Sequence, residues 1–125
     1  MCMTITIEGE FCDLNTYVNA ERTNRFRASK IKKEETERVA WEVSNCPVIT
    51  QYPVHITYTW YSKDSRKDVD NVAFAVKFIH DGLVEAGVLA GDGRKHIAGF
   101  SHAGFFVDRE RPRVVIQFLS GGTQL

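Results

Sequence analysis

Residues 54–61 read "VHITYTWY", and the next ten, 62–71, read "SKDSRKDVDN". Val54, Ile56, Tyr58 and Trp60 alternate with His55, Thr57, Thr59 and Tyr61, the period of two that sends successive side chains to opposite faces of a strand. The first set is the better candidate for a core face. Just downstream a helix is predicted, because Val72, Val76, Ile79, Leu83 and Ala86 recur at i, i+4, i+7, i+11 and i+14 and line up as one apolar stripe. Gly87 stands where a C′ residue ends such a helix. A strand, a charged turn and an amphipathic helix therefore follow one another, and this succession decides the fold.

Upstream, "TITIE" predicts a strand over Met3–Glu8, and Asp13 and Asn15 are turn or cap residues. A broken helical region follows, firmest over Ser29–Asn45. There Ser29 can cap, Glu34 and Arg38 pair at i,i+4, and Ile31, Val39 and Val43 share a face. Pro47 cannot continue it. Downstream, strands are predicted over Lys95–Val107 and Arg113–Leu119, with "DRERP" between them as the turn of an antiparallel hairpin. The expected fold is α+β: a single domain over residues 1–125, with helices packed on a mixed β-sheet and a C-terminal antiparallel hairpin.

At 125 residues, with 43% hydrophobic and 26% charged residues, the chain can bury a core without staples. No apolar run is long enough to span a bilayer and no export leader is evident, so a cytoplasmic protein without a membrane partner is expected. Cys2, Cys12 and Cys46 form no CxxC pair, which disfavours a disulfide framework or structural zinc. The formal net charge is zero, so binding to nucleic acid by bulk charge is not expected, although local contact is. Arg22, Arg25, Arg27, Lys30, Lys32 and Lys33 fall within the acid-free run "RTNRFRASKIKK". Such a run is either a solvated face or a phosphate-contacting patch.

Asp68 and Asp70 lie between the strand and the helix. On extended backbone, residues two apart point the same way, and two carboxylates held together repel unless a proton or cation lies between them. Hard oxygen donors favour Mg²⁺, with Mn²⁺ also suitable. The plainer alternative is that Asp70 caps the helix and Asp68 is solvated. Asp92, in "AGDGRK", is either a local turn residue or a third oxygen ligand carried back toward the sheet edge. Lys77 interrupts the apolar run "VAFAVKFI"; it either snorkels or supplies a cation beside a phosphate. His55, His80, His96 and His102 lack metalloprotease spacing, and no phosphate-cradling glycine loop or nucleophile elbow is present.

Taken in order, Asp68, Asp70 and Asn71, then Lys77, then "DGLVEAG" from Asp81 to Gly87, then Asp92, resemble the pattern of the RusA family of Holliday junction resolvases. The similarity covers roughly residues 60–118, with "DLN" at 13–15 a weaker match upstream. The Asn71–Lys77 interval is longer than the family's by nearly one helical turn. Where the family often carries two neighbouring acids, this chain has Gly91 and Asp92. The resemblance implies a phage- or prophage-encoded endodeoxyribonuclease working in bacterial cytoplasm, in recombination and repair. It implies a homodimer acting on branched DNA, with Asp68, Asp70 and Asp92 holding the metal and Lys77 assisting catalysis. Arg66 and Lys67, together with the Arg22–Lys33 patch, are then expected to position the phosphates. Two other readings stay open: a non-catalytic DNA-binding recombination accessory protein with the same fold, and a scaffold whose aspartates are only cap and turn residues.

Overall fold

A computed structural model describes residues 2–120; residues 1 and 121–125 of the expected domain lie outside the described residues. Strand β2 (Val54–Ser62) behaves as its sequence predicts, with Val54, Ile56, Tyr58 and Trp60 buried and their neighbours only half-buried. It pairs in parallel with β3 (Ile97–Val107) on one side and antiparallel with β4 (Arg113–Leu119) on the other. β4 also pairs antiparallel with β1 (Cys2–Glu8), giving a four-stranded mixed sheet in the order β1-β4-β2-β3. The α+β architecture expected from the alternation of elements is present.

The C-terminal hairpin is not. β3 and β4 do not pair, because β2 lies between them and both rims of β4 are taken, one by β1 and one by β2. In the connection between β3 and β4, Asp108 accepts from Arg111 N–H at 3.1 Å and from Arg113 Nη1 at 2.8 Å. What the local pattern could not show is that Asp108 N–H donates to Ser62 O at 2.8 Å, which carries the connection across the end of β2. Non-local strand pairing overrode the expectation that neighbouring strands make a hairpin.

Helix α1 (Leu14–Thr23) starts where Asp13 Oδ1 accepts from Thr16 N–H at 2.8 Å, an N-cap bond. Helix α2 (Arg25–Glu42) begins four residues earlier than Ser29 because Asn24 serves as its cap, accepting from Phe26 N–H at 2.9 Å. The single helix expected from Val72 is two: α3 (Val69–Ala73) and α4 (Val76–Glu85). Between them the backbone stays right-handed but tightens, with Ala75 N–H to Val72 O and Lys77 N–H to Phe74 O, both 3.3 Å and both i→i−3. The tightening falls inside the Asn71–Lys77 interval.

α4 ends as predicted. Gly87 has φ +79°, and Gly87 N–H to Val84 O and Val88 N–H to Leu83 O, each 3.0 Å, make a Schellman closure. α4 packs on α2, which in turn contacts α1. The core collects Ile5, Ile7, Val39, Val43, Phe78, Ile79, Leu83, Ile116 and Phe118 with the inner face of β2. The other face of the sheet is polar, with Thr4, Thr6 and Gln117 exposed. No helix among the described residues is long and apolar enough to cross a membrane.

Candidate functional site

The charged turn between β2 and α3 is fastened to the segment before α1. Lys67 Nζ lies 3.1 Å from Asp13 Oδ2 and 3.7 Å from Glu10 Oε1, and Lys63 N–H donates to Glu10 Oε2 at 2.6 Å. Asn71 Oδ1 accepts from Asn15 N–H at 2.9 Å, joining the starts of α3 and α1. Partial burial would raise the Asp13 carboxyl, but the Thr16 amide and the Lys67 ammonium outweigh it and hold it below its ordinary range. Burial alone would likewise lower Lys67, but its hydrogen bond and attraction to Asp13 win and raise it. Lys67, expected to meet phosphates, therefore has its charge engaged within the chain. Arg66 projects outward, 88% exposed, with Asp64 3.8 Å away.

Asp68 occupies the N-cap position of α3 yet makes no side-chain cap bond, and Asp70, in the first turn, accepts only from its neighbour Asn71 N–H, at 3.0 Å. Both are exposed. Asp68, not Asp70, thus stands at the cap position, neither carboxylate makes a cap bond, and both keep hard oxygen donors facing solvent.

Asp92 sits on the loop after α4, whose course is set by aromatic packing. Ala90 N–H donates to Tyr52 Oη at 2.9 Å, and the Tyr52 and His96 rings meet edge to face at 4.9 Å. A Cβ at Gly91 would lie 2.7 Å from His96 Nδ1. The imidazole fills the space that a side chain at position 91 would need. His96 is a packing residue.

The loop returns Asp92 to Lys77. Lys77 Nζ is 3.0 Å from Asp81 Oδ1, one turn on, and 3.8 Å from Asp92 Oδ2. The hydrogen bond to Asp81 outweighs partial burial and raises the lysine pKa, so the ammonium stays charged at neutral pH. Asp70 and Lys77 stand seven residues apart, on α3 and α4 respectively. Asp81, which the sequence offered only as part of "DGLVEAG", is the residue that sequence reasoning missed. Its i,i+4 spacing from Lys77 was the available signal.

Among the described residues, no three His, Cys, Asp or Glu side chains are gathered closely enough to hold a metal ion. The donor chemistry of Asp68, Asp70 and Asp92 suits a hard divalent cation, while Asp92 is drawn to Lys77 and not into a three-carboxylate cluster.

The six cations of the α1–α2 corner are all exposed, and among the described residues only Lys30 has an ion-pair partner, Glu34 at 3.8 Å. Arg25 and Arg27 stand in the first turn of α2, which holds no acid. Cations at that end oppose the helix dipole, typically by some 0.3–1 kcal/mol each, so an incoming anion relieves both. Lys32 and Lys33 line a groove of about 450 Å³ whose opposite wall includes Asp81 and Glu85. Glu37 lines the same groove, so Lys32 and Lys33 share it with three acids, one of which, Asp81, also pairs with Lys77.

Behind the cluster lies His80, 8% exposed and packed against Tyr58 and Phe100, with no partner for Nε2. Burial pulls its pKa down to about 4, and the nearby charges of Asp92, Lys77 and Asp81 leave that direction unchanged. Because the folded value lies below the unfolded one, the unfolded chain binds the proton first. Stability is complete above the unfolded value and falls as pH drops through the window from about 6.5 toward 4, by on the order of 3 kcal/mol. Urea denaturation at pH 7 and at pH 4.5 is expected to show this loss, and His80→Phe to flatten it. An unchanged acid limb in the variant would assign the loss to other groups.

No protein-family model matches the chain, and no curated protein matches it.

Proposed function

We propose that the chain is a divalent-metal-dependent endodeoxyribonuclease that cuts branched DNA, as the RusA-like resolvases it resembles do, and that it works as a homodimer. The observation that carries this reading is the return of Asp92 to Lys77, 3.8 Å away, over the α4 helix. The sequence predicts a return of Asp92 toward Asp68 and Asp70; it lies beside Lys77 instead.

In this reading Asp68, Asp70 and Asp92, whose carboxylates are not gathered in the structure, would hold the cation, Mg²⁺ or Mn²⁺, by converging on it. When bound, it supplies charge stabilisation and an activated water for phosphodiester hydrolysis. The remaining roles belong to the chain itself. Lys77, held charged by Asp81, sets a fixed positive charge beside the scissile phosphate. Arg22, Arg25, Arg27, Lys30, Lys32 and Lys33 bind flanking phosphates at the α1–α2 corner and orient the strand without reading bases. Arg66 extends that surface at the acidic turn. Lys67 contributes by holding the turn to Asp13 and Glu10.

Lys77→Ala is expected to slow cleavage about a hundredfold in kcat, the usual cost of losing one charge-stabilising donor, without weakening junction binding. A wild-type rate in single-turnover assays would take the lysine out of the mechanism.

The deciding experiment incubates a synthetic four-way junction, and its linear arms, with and without Mg²⁺. Symmetric nicks on the junction alone, dependent on metal, are the expected result. The absence of a gathered three-acid cluster favours a second reading, a DNA-binding accessory protein of the same fold. Metal-insensitive junction binding without nicking would establish that one instead.

A further inference from the structure

Tyr61, Phe106 and Arg113 stand level with one another on three adjacent strands, since β2 pairs Tyr61 with Phe106 on one side and with Arg113 on the other. Their side chains stack across the sheet. The Arg113 guanidinium lies 3.8 Å from the centre of the Tyr61 ring, and the centres of the Tyr61 and Phe106 rings are 5.6 Å apart with 30° between their planes. The row is held at both ends. Arg113 Nη1 donates to Asp108 Oδ2 at 2.8 Å, and the Phe106 ring lies over Gly104, where a Cβ would come within 2.5 Å of it. Phe106 is nevertheless 51% exposed. It is an aromatic surface fixed in place and left open at the sheet edge.

Phe106 lines a hollow of about 200 Å³ together with Val69, Val72, Phe105 and Val107. Val69 stands between Asp68 and Asp70, so this apolar wall begins one residue from each of the two carboxylates. Ser65 and Lys67 border the same hollow, with the exposed Arg66 between them in the chain. An aromatic wall beside a cationic turn is the combination that holds a nucleotide, the base by its flat face and the phosphate by charge. The hollow is bounded by the end of β3 on one side and by the turn and start of α3 on the other, which suits one ring system and not a length of chain.

We infer that this hollow takes one unstacked nucleobase of the DNA strand lying on the Asp68–Asp70 turn, and that the base stacks on Phe106 as the next layer of the Arg113–Tyr61–Phe106 row. The inference rests on the proposed nuclease reading for the path of the strand and adds a subsite to it. A base reaches such a hollow only by leaving the duplex stack, which costs least where pairing is already interrupted. The subsite therefore favours a branch point over a continuous duplex. Because the wall is apolar and meets the base by its face, it accepts all four bases.

The test uses synthetic four-way junctions with 2-aminopurine placed, in turn, at each nucleotide flanking the branch point, titrated with protein in EDTA so that no cutting occurs. The emission of 2-aminopurine rises when it leaves the duplex stack. Wild type is expected to raise it at one flanking position. Phe106→Leu, which keeps apolar bulk but loses the flat face, is expected to abolish the rise and to weaken junction binding about tenfold. Phe106→Tyr, which keeps the flat face, is expected to retain both. No rise at any position, or a rise unchanged in Phe106→Leu, would overturn the inference. Nicking in Mg²⁺ is scored separately. A rise that depends on Phe106 without nicking keeps the base site and removes the nuclease reading, whereas metal-dependent nicking without any rise does the reverse.

Discussion

Asp70→Asn is expected to lower Mg²⁺-dependent nicking of a four-way junction by about three orders of magnitude, while junction binding is retained or tightened. Asparagine keeps the shape of the side chain and its carbonyl oxygen, so the local bond from Asn71 N–H, 3.0 Å long in the native protein, can still form. What disappears is one negative charge at an exposed position in the first turn of α3. With the several kcal/mol that a bound cation contributes to charge stabilisation, losing an anionic ligand removes on the order of 4 kcal/mol, or about a thousandfold. Removing a negative charge also eases the approach of phosphates, which accounts for the expected binding result. Single-turnover cleavage measured beside a gel-shift titration separates the two effects. Normal cutting by this variant would show that the metal assignment is wrong.

Gly82→Ala is expected to be the most damaging single-methyl change in the core. A Cβ at position 82 would overlap Val39 Cβ on α2 and lie 2.9 Å from Thr36 O, so it would press on backbone as well as side chain. Gly82 is buried in the middle of α4, and its lack of a side chain lets the two helices approach. Outside this contact, alanine would be the better helix former by about 1 kcal/mol. Here the overlap forces the helices apart and is expected to cost about 3 kcal/mol net, roughly a 10 °C drop in Tm for a domain of this size. Val39→Ala is not expected to rescue it, because alanine retains the Cβ that is struck. Recovery of wild-type stability in the double variant would place the close approach elsewhere.

The glycine was visible in the sequence as part of "DGLVEAG", but its purpose was not, since helix–helix distance leaves no mark on local pattern. The same division runs through the molecule. β2 was legible residue by residue because burial on one sheet face imposes strict alternation, and Gly87 was legible because helix closure requires a positive φ. The boundary of α2 was missed because both Asn24 and Ser29 are good caps, and only packing decides between them. The hairpin failed for a deeper reason: β4 slots between β1 and β2, a choice made by contacts across more than a hundred residues. At the candidate site, chain direction predicts a return of Asp92 toward the Asp68–Asp70 pair, whereas it comes to rest beside Lys77 and no three-acid cluster forms among the described residues. The engagement of Lys67 by Asp13 and Glu10 was not expected, because no spacing rule connects residues so far apart.

The bonds from Asn15 to Asn71 and from Lys67 to Asp13 have a consequence for modularity. The β2–α3–α4–β3 span contains every acidic residue assigned to metal, along with the lysine, and so looks transplantable as one cassette. Yet the loop that aims its first two carboxylates is anchored on atoms supplied more than fifty positions earlier. Excised, the cassette would carry the reactive groups without the bracket that orients them.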